Sequence, residues 1–398
     1  MASDIVGVPG SKSRSVLSKT AISRTACILL MMLAAPGMRA QKTKNEVNPW
    51  LGSSLESVPP LAHDLSAELK KKDVAYAIRK VAAWQLKAAQ PGFDQDWTFA
   101  ALYIGFMSVP DAASGKQFKE AMREVGKKFQ WELGPRQGHA DDQAIGQTYL
   151  ELSRVYHDPT MIAPTKARID AAMKIADNPD KPLWWWCDAL FMAPPLFAGL
   201  SRETGDKAYL SFMDHEWWIT SQRLYSPEDH LFFRDGSFLQ SREANGSKVF
   251  WSRGNGWVFA GLARVLSEMP ADYPSRPRYV AQFREMAEKI ASLQENDGLW
   301  RAGLLDEKAY KLPENSGSSF FTYGFAYGIN SGILERGKYE PVVARAWNGL
   351  LGHIYEDGRL GSVQPVGAAP GAFGPTSSYV FGTGAFLLAG SEVYRLAR

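Results

Sequence analysis

Between residues 68 and 396, apolar side chains recur at helical spacing in twelve stretches separated by turn-forming residues. The pattern predicts helices at about 68–90, 97–112, 115–131, 140–156, 162–176, 188–204, 207–224, 256–268, 277–295, 318–333, 339–355 and 379–396. The stretches alternate in character. Odd-numbered ones are amphipathic. In 339–355, Val343, Trp347, Leu350 and Ile354 form one apolar stripe while Glu340 and Arg345 stay polar, and in 277–295 charges recur at Arg284, Glu285, Glu288 and Lys289. Even-numbered ones are apolar nearly all round and rich in small residues, as in Gly256–Ala263 and Gly382–Gly390. A helix that is apolar on every side is buried, and glycine lets helices approach closely.

Six outer helices alternating with six inner ones describe an all-α fold, an (α/α)6 barrel of six helical hairpins. A two-domain helical protein or an α-solenoid is the alternative, although the spacing is too irregular for a named repeat. Weak internal similarity supports hairpins. Asp297-Gly298-Leu299-Trp300 and Asp357-Gly358-Arg359-Leu360-Gly361 each follow an outer stretch. The interval 225–255 breaks the helical pattern and predicts a short β hairpin or extended loop, with Leu231–Arg234 and Lys248–Trp251 as its strand-like parts. The barrel occupies 67–398 as a single catalytic domain. Residues 41–66, interrupted by Pro49, Pro59 and Pro60, read as a linker or N-terminal arm.

Residues 1–40 read as a signal peptide. Lys12, Arg14, Lys19 and Arg24 precede the apolar run Ala26–Ala35, which is too short to span a membrane. The expected location is therefore outside the cytoplasm, in a bacterial periplasm or secreted. Removal of this segment takes five basic residues and one acid, and moves the formal net charge from +3 to −1. A near-neutral chain gives no electrostatic support for a nucleic-acid or membrane-surface partner. Cys27 leaves with the segment, so Cys187 remains without a disulfide partner or a cysteine metal cluster. Phosphate-binding loops, dinucleotide glycine fingerprints, zinc-protease motifs and nucleophile elbows are absent, so no cofactor or metal is expected. Aromatic content is high at 12%, as in proteins whose grooves stack on sugar rings. The expected state is a monomer or weak homo-oligomer.

Polar and aromatic clusters precede each inner stretch. They are Asp94-Gln95-Asp96-Trp97, His139-Ala140-Asp141-Asp142-Gln143, Trp184-Trp185-Trp186-Cys187-Asp188, Trp251-Ser252-Arg253-Gly254-Asn255-Gly256-Trp257, Pro313–Ser319 with Ser318, and Thr376–Tyr379. In a barrel of repeated hairpins these six clusters share one rim, which makes their convergence a stronger signal than any one alone. Asp96, Asp141 and Ser318 fit helix capping equally well, and His139 fits an ordinary polar role. Asp188 stands apart. A carboxyl group walled by Trp184 to Trp186 is expected to hold a proton near neutral pH, which makes it the candidate catalytic acid. Arg253, between Trp251 and Trp257, can stack on an indole or receive a substrate carboxylate with both ends of its fork.

Trp186–Pro195, Phe250–Leu262 and Ser316–Gly324 resemble the unsaturated rhamnogalacturonyl hydrolases, glycoside hydrolase family 105 of the YteR/YesR type, in order over about residues 70 to 396. The resemblance implies the (α/α)6 barrel. It also implies a hydrolase acting on lyase-generated oligosaccharides that end in a 4-deoxy-4,5-unsaturated uronic acid. In that chemistry an acid protonates C4 of the vinyl ether, water adds at C5, and the resulting hemiketal opens to release the sugar. Rhamnogalacturonan from pectin is the default source. The alternatives are an unsaturated glucuronyl hydrolase on ulvan or glycosaminoglycan fragments, and a non-catalytic binder of acidic oligosaccharides.

Carried over by motif, the resemblance places the general acid/base at Asp188 and the second acid at Asp142, with Asp141 as the other reading. It places uronate binding at Arg253 and Trp257. Trp251, Trp186, Trp97, His139 and Ser318 complete the expected substrate-binding set. Where the family has a histidine in an aromatic segment, this chain has His230-Leu231-Phe232-Phe233-Arg234-Asp235. The histidine is either displaced to His230 or replaced by Arg234, and an arginine there adds a second cation for the uronate, or for a sulfate or further acid on the next sugar. Burial by the indoles and repulsion from Asp142 are expected to raise the pKa of Asp188 against the pull of its helix N-terminus.

Overall fold

The computed structural model describes residues 59–175, 178 and 182–398. The expected signal peptide and residues 41–58 of the expected arm lie outside these described residues. What is described of the arm lies along the barrel wall, where Leu61 bridges to Tyr355 and Ala62 N–H donates to Ile354 O at 2.8 Å.

Fourteen helices occur among the described residues. They are α1 (Lys71–Ala89), α2 (Trp97–Ser108), α3 (Gly115–Lys128), α4 (Ala140–Gln143), α5 (Ile145–Tyr156), α6 (Ala163–Ala172), α7 (Ala189–Met192), α8 (Pro194–Thr204), α9 (Lys207–Leu224), α10 (Ser252–Glu268), α11 (Arg276–Ser292), α12 (Asn315–Asn330), α13 (Arg336–Leu351) and α14 (Val380–Leu396). They are the twelve expected helices with two inner ones interrupted. The break between α7 and α8 falls at Ala193, ahead of Pro194 and Pro195, which cannot donate the amide bonds needed to continue the helix. Between α4 and α5, Ala144 keeps helical angles, so only the hydrogen bonding is interrupted.

The inner helices α2, α5, α8, α10, α12 and α14 each pack on the next, and α14 closes on α2. The outer α1, α3, α9, α11 and α13 lie against α14, α2, α8, α10 and α12. This is the (α/α)6 barrel. Residues Asn315 to Ile329 of α12 are all buried, whereas α13 buries one stripe that includes Val343, Trp347 and Leu350. Glycine allows the inner ring to close. A Cβ added at Gly105 of α2 would lie 2.6 Å from Gly384 O of α14.

The two similar Asp-x turns have the same geometry. Gly298 and Gly358 have φ of +84° and +101°, and each donates its N–H three residues back, to Glu295 O and Tyr355 O. Each turn also wedges against the neighbouring outer helix, where no side chain would fit.

The hairpin in 225–255 is shorter than the pattern suggests. β1 (Tyr225–Ser226) and β2 (Leu231–Phe232) pair antiparallel, Tyr225 opposite Phe232 and Ser226 opposite Leu231. The expected second strand makes only isolated bridges, Lys248 to Arg242 and Trp251 to Gly303. Helix α10 starts at Ser252 rather than near 256, so Arg253, Gly254 and Asn255 form its first turn. Asn255 then holds β2 through Oδ1, which accepts from Phe232 N–H at 2.7 Å.

Candidate active site

The N-terminal ends of the inner helices meet on one rim. Trp97, at the start of α2, stacks on Phe381 of α14 with centroids 5.6 Å apart, and packs edge-on against Trp257 of α10 at 6.0 Å. His139, at the start of α4, lies 5.0 Å from the Trp186 ring. The Asp94–Trp97 and Trp251–Trp257 clusters therefore meet, as do His139–Gln143 and Trp184–Asp188, and Arg253 reaches the Pro313–Ser319 cluster at Ser316 and Glu314.

Asp188 occupies the residue before α7 and is only 7% exposed. Burial pushes its carboxyl pKa up, while the Arg234 and Arg253 charges draw it back. Arg234 is brought there by the chain after β2. Its carbonyl accepts from Cys187 N–H at 2.8 Å, and Asp235 bridges to Trp186, so the 231–235 and 184–188 segments run side by side. Arg234 Nε then lies 3.3 Å from Asp188 Oδ2, and Nη1 donates to Asp235 Oδ2 at 2.7 Å. Asp235 is itself fixed by Ser237 N–H and Oγ–H. His230 goes elsewhere. It has φ +55° in the β1–β2 turn, with Nδ1 3.0 Å from Tyr225 Oη and 3.7 Å from Glu285 Oε2. Of the two candidates for the displaced histidine, Arg234 is the one at the acid.

The tryptophan triplet divides. Trp184 is 1% exposed and packs on Phe197 and Phe212. Trp186 is buried between Trp185 and His139. Trp185 is 47% exposed, and the Arg234 guanidinium lies 5.5 Å from its ring centroid.

Of the two readings for the second acid, Asp142 is the one engaged by a neighbouring side chain. Asp142 is clamped by Arg136, whose backbone N–H donates to Oδ2 at 2.6 Å and whose Nε and Nη2 donate to Oδ1. The neighbouring Asp141 has its pKa pushed up to about 7, by burial first and then by the Asp188 charge, against the Arg136 guanidinium 3.9 Å away. His139 caps this turn through Nδ1, which accepts from Asp141 N–H at 3.3 Å. Burial and the neighbouring Arg136 lower its pKa and favour the neutral ring. Asp96 caps α2 through Thr98, as capping predicts, and adds its charge to the Asp141 environment.

Of the two readings for Arg253, stacking on an indole is the one displayed. It is 0% exposed, with its guanidinium 4.3 Å from the Trp251 ring and 4.7 Å from the Phe381 ring. Its terminal nitrogens donate to Gln364 O at 2.7 Å and Pro365 O at 2.6 Å, and Glu314 lies 3.9 Å away. A substrate carboxylate would have to displace both carbonyls to be gripped by the whole fork. Burial lowers the Arg253 pKa to about 10, with Glu314 and Asp188 opposing the shift. Trp251 is likewise engaged, its Nε1 donating to Gln364 Oε1 at 3.0 Å.

Trp257 is buried among Phe191, Phe320 and Trp97, and forms the floor beneath the rim rather than an open surface. Ser318 lies inside α12, fully buried, where its Oγ accepts from Trp300 N–H at 3.0 Å. The cap of α12 is Glu314, which accepts from Ser316 and Gly317 N–H and from Gln364 N–H. Arg136 and Gln364 were missed because nothing local marks them. Each acts on a group that only the fold brings near.

The rim thus offers two desolvated carboxyls, Asp188 beside Arg234 and Asp141 beside Arg136, and an exposed indole. That set can deliver a proton to a flat, anionic ligand.

The glycosyl hydrolase family 88 model matches residues 70–397. The chain is 40% identical over 349 residues to an unsaturated 3S-rhamnoglycuronyl hydrolase of Formosa agariphila, covering 82% of this chain and 92% of that one. It is 37% identical over 317 residues to a protein of the same name from Alteromonas sp. strain LOR, covering 75% and 77%. Among solved structures, a family 88 glycosyl hydrolase from Bacteroides vulgatus superposes with a TM-score of 0.78 at 31% identity, covering 82% of this chain and 99% of that one.

Proposed function

The chain belongs to glycosyl hydrolase family 88, and on that footing we propose that it releases a terminal 4-deoxy-4,5-unsaturated uronic acid from lyase-generated oligosaccharides. Both relatives are named 3S-rhamnoglycuronyl hydrolases. We therefore place rhamnose-containing glycuronyl oligosaccharides ahead of the pectin-derived default. The finer assignment to family 105 rests on the motif stretches quoted above.

The observation that carries the chemistry is the pair Asp188 and Asp141, both with raised pKa, with Arg234 beside Asp188. Burial raises both carboxyls, and the Asp188 charge adds to the shift of Asp141. A uronate carboxylate arriving at Arg234 adds negative charge and occupies the cation that draws the Asp188 pKa back. Both effects favour the protonated form of Asp188. Asp188 then protonates C4, and the cationic character at C5 is quenched by water. Asp141 holds that water or a ring hydroxyl. The proton that the water releases passes to the Asp188 carboxylate and restores the acid, and the hemiketal formed at C5 opens and frees the remaining sugar. No attack on the anomeric carbon is involved, so the carboxylate-spacing rule for retaining and inverting glycosidases does not apply.

The test is loss of the ultraviolet absorbance of the C4=C5 enol-ether acid across a panel of lyase products, with Asp188→Asn as the blank. Turnover of none of them by the wild-type protein would overturn the reading. Export is part of the same proposal, supported by the basic and apolar run at residues 12–35. It is tested by the mass of the mature N-terminus.

A further inference from the structure

We propose that Gln147 and Arg264 are positioning residues for Asp188 and act on it through helix α7. The inference rests on the proposed reaction and adds what holds the acid in place within the barrel.

Three observations carry it. First, α7 has only four residues, Ala189–Met192, with Asp188 immediately ahead of it and Pro194 and Pro195 just beyond it. In an unbroken helix the Phe191 carbonyl would accept from the N–H of residue 195, and proline has none. The Met192 carbonyl is passed over as well, because Leu196 N–H donates to Ala193 O at 3.0 Å. Both residues are buried, so both carbonyls need partners from elsewhere in the fold.

Second, Gln147 of α5 supplies them. It is buried, and its Nε2 donates to Phe191 O at 2.8 Å and to Met192 O at 2.9 Å. Those two bonds use both amide hydrogens. Third, Arg264 of α10 fixes which end of the amide faces α7. Its Nε donates to Gln147 Oε1 at 2.8 Å, and its Nη2 donates to Glu151 Oε1 at 2.7 Å. A guanidinium accepts no hydrogen bond, so the amide oxygen must face it and the amide nitrogen must face α7. Gly261, one turn earlier on α10, lets the same helix come against α7, since an added Cβ would lie 2.3 Å from Leu190 O.

Helix α7 is thus pinned between α5 and α10 at the end away from Asp188, one turn or roughly 6 Å along its axis. The 3.3 Å separation of Asp188 Oδ2 and Arg234 Nε depends on where that short helix stands. A displacement of about 1 Å at a reacting group can cost about 10²-fold in rate.

The test compares three variants. Gln147→Glu keeps the shape of the side chain and its contact with Arg264 but cannot donate to the carbonyls. Gln147→Met removes the donors without adding charge. Arg154→Gln breaks ion pairs with Glu203 and Glu268 from the same helix α5 and touches no residue of α7, so it reports loss of stability alone. Each is measured for Tm, kcat, KM and the NMR titration of the Asp188 carboxyl, assigned against Asp188→Asn. All three substitutions leave Arg234, Arg253, Asp235 and Asp141, the charged groups around the acid, in the chain. Both Gln147 variants are expected to lose about tenfold or more in kcat, to keep KM within about twofold, and to shift the Asp188 midpoint. Arg154→Gln is expected to lower Tm and to keep kcat and the midpoint. Should Gln147→Met fail to fold, the kcat and KM of Gln147→Glu decide. Wild-type kcat and midpoint in a folded Gln147 variant, or an equal loss of kcat in Arg154→Gln, would overturn the proposal. Absence of turnover by the wild-type protein refutes the reaction, and the Asp188 titration then decides the positioning by itself.

Discussion

Arg234 Nε lies 3.3 Å from Asp188 Oδ2, so the candidate acid is held beside a cation that opposes its protonation. Burial raises the carboxyl and the guanidinium restrains it, which leaves a group able to give up a proton and to take it back. Asp188→Asn should retain the fold, because Arg234 keeps Asp235. It should lose about 10²-fold or more in kcat. Rates and circular dichroism of the variant check this.

Asp141, with its pKa raised to about 7, makes a distinct pH prediction. Above the ordinary carboxylate range and below about 7, the folded protein holds a proton that the unfolded chain has lost. This contribution to stability is complete at low pH and disappears as pH rises through about 7. Asp141→Asn should flatten that part of the Tm-versus-pH curve and remove an ionisation near 7 from the kcat/KM profile. Survival of both features in the variant would place the ionisation elsewhere.

Asp142 is held in the fold by Arg136. Its carboxylate accepts from Arg136 through backbone and side chain. Asp142→Ala should cost about 1–2 kcal/mol of stability, limited because Arg136 is half exposed. It should move the pH of half-maximal rate down rather than remove the ionisation, because the Asp142 charge helps raise Asp141 and Arg136 opposes it. Urea unfolding and a pH–rate profile measured together separate the two neighbouring acids.

Arg253 anchors the chain at Gln364 and Pro365 from inside the barrel. Arg253→Met removes two carbonyl contacts and leaves buried Glu314 without its nearby charge, a loss of about 3–5 kcal/mol. Lower Tm and faster proteolysis within residues 364–375 are expected. An unaltered Tm with only KM raised would return Arg253 to direct substrate binding.

Gly298 has φ +84°, and an added Cβ would lie 2.3 Å from Arg345 O. Gly298→Ala should cost more than about 1 kcal/mol, from strain and from the displaced α13. Gly205, at φ +75° with nothing within 4 Å, should cost less on the same substitution. Thermal unfolding of the pair isolates the steric part.

Much of this architecture was written in the order of residues. Apolar stripes such as Val343, Trp347 and Leu350 face one way, and runs such as Asn315–Ile329 face the core on every side. That alternation encodes outer and inner helices, because local periodicity sets which faces of a helix are apolar. The six rim clusters followed from the same count, and Asp188 stood out by its indoles. Tertiary structure decided the pairings. Arg136 stands by both adjacent carboxylates but gives its hydrogen bonds to Asp142, while Asp141, 3.9 Å from that guanidinium, feels the Asp188 charge. Arg234 rather than His230 reaches the acid because a short hairpin turns the histidine toward Tyr225. Trp184, Trp185 and Trp186 have identical side chains and three different exposures. Charge coupling, desolvation and exposure depend on distances across the fold, and those distances are set only when the barrel closes.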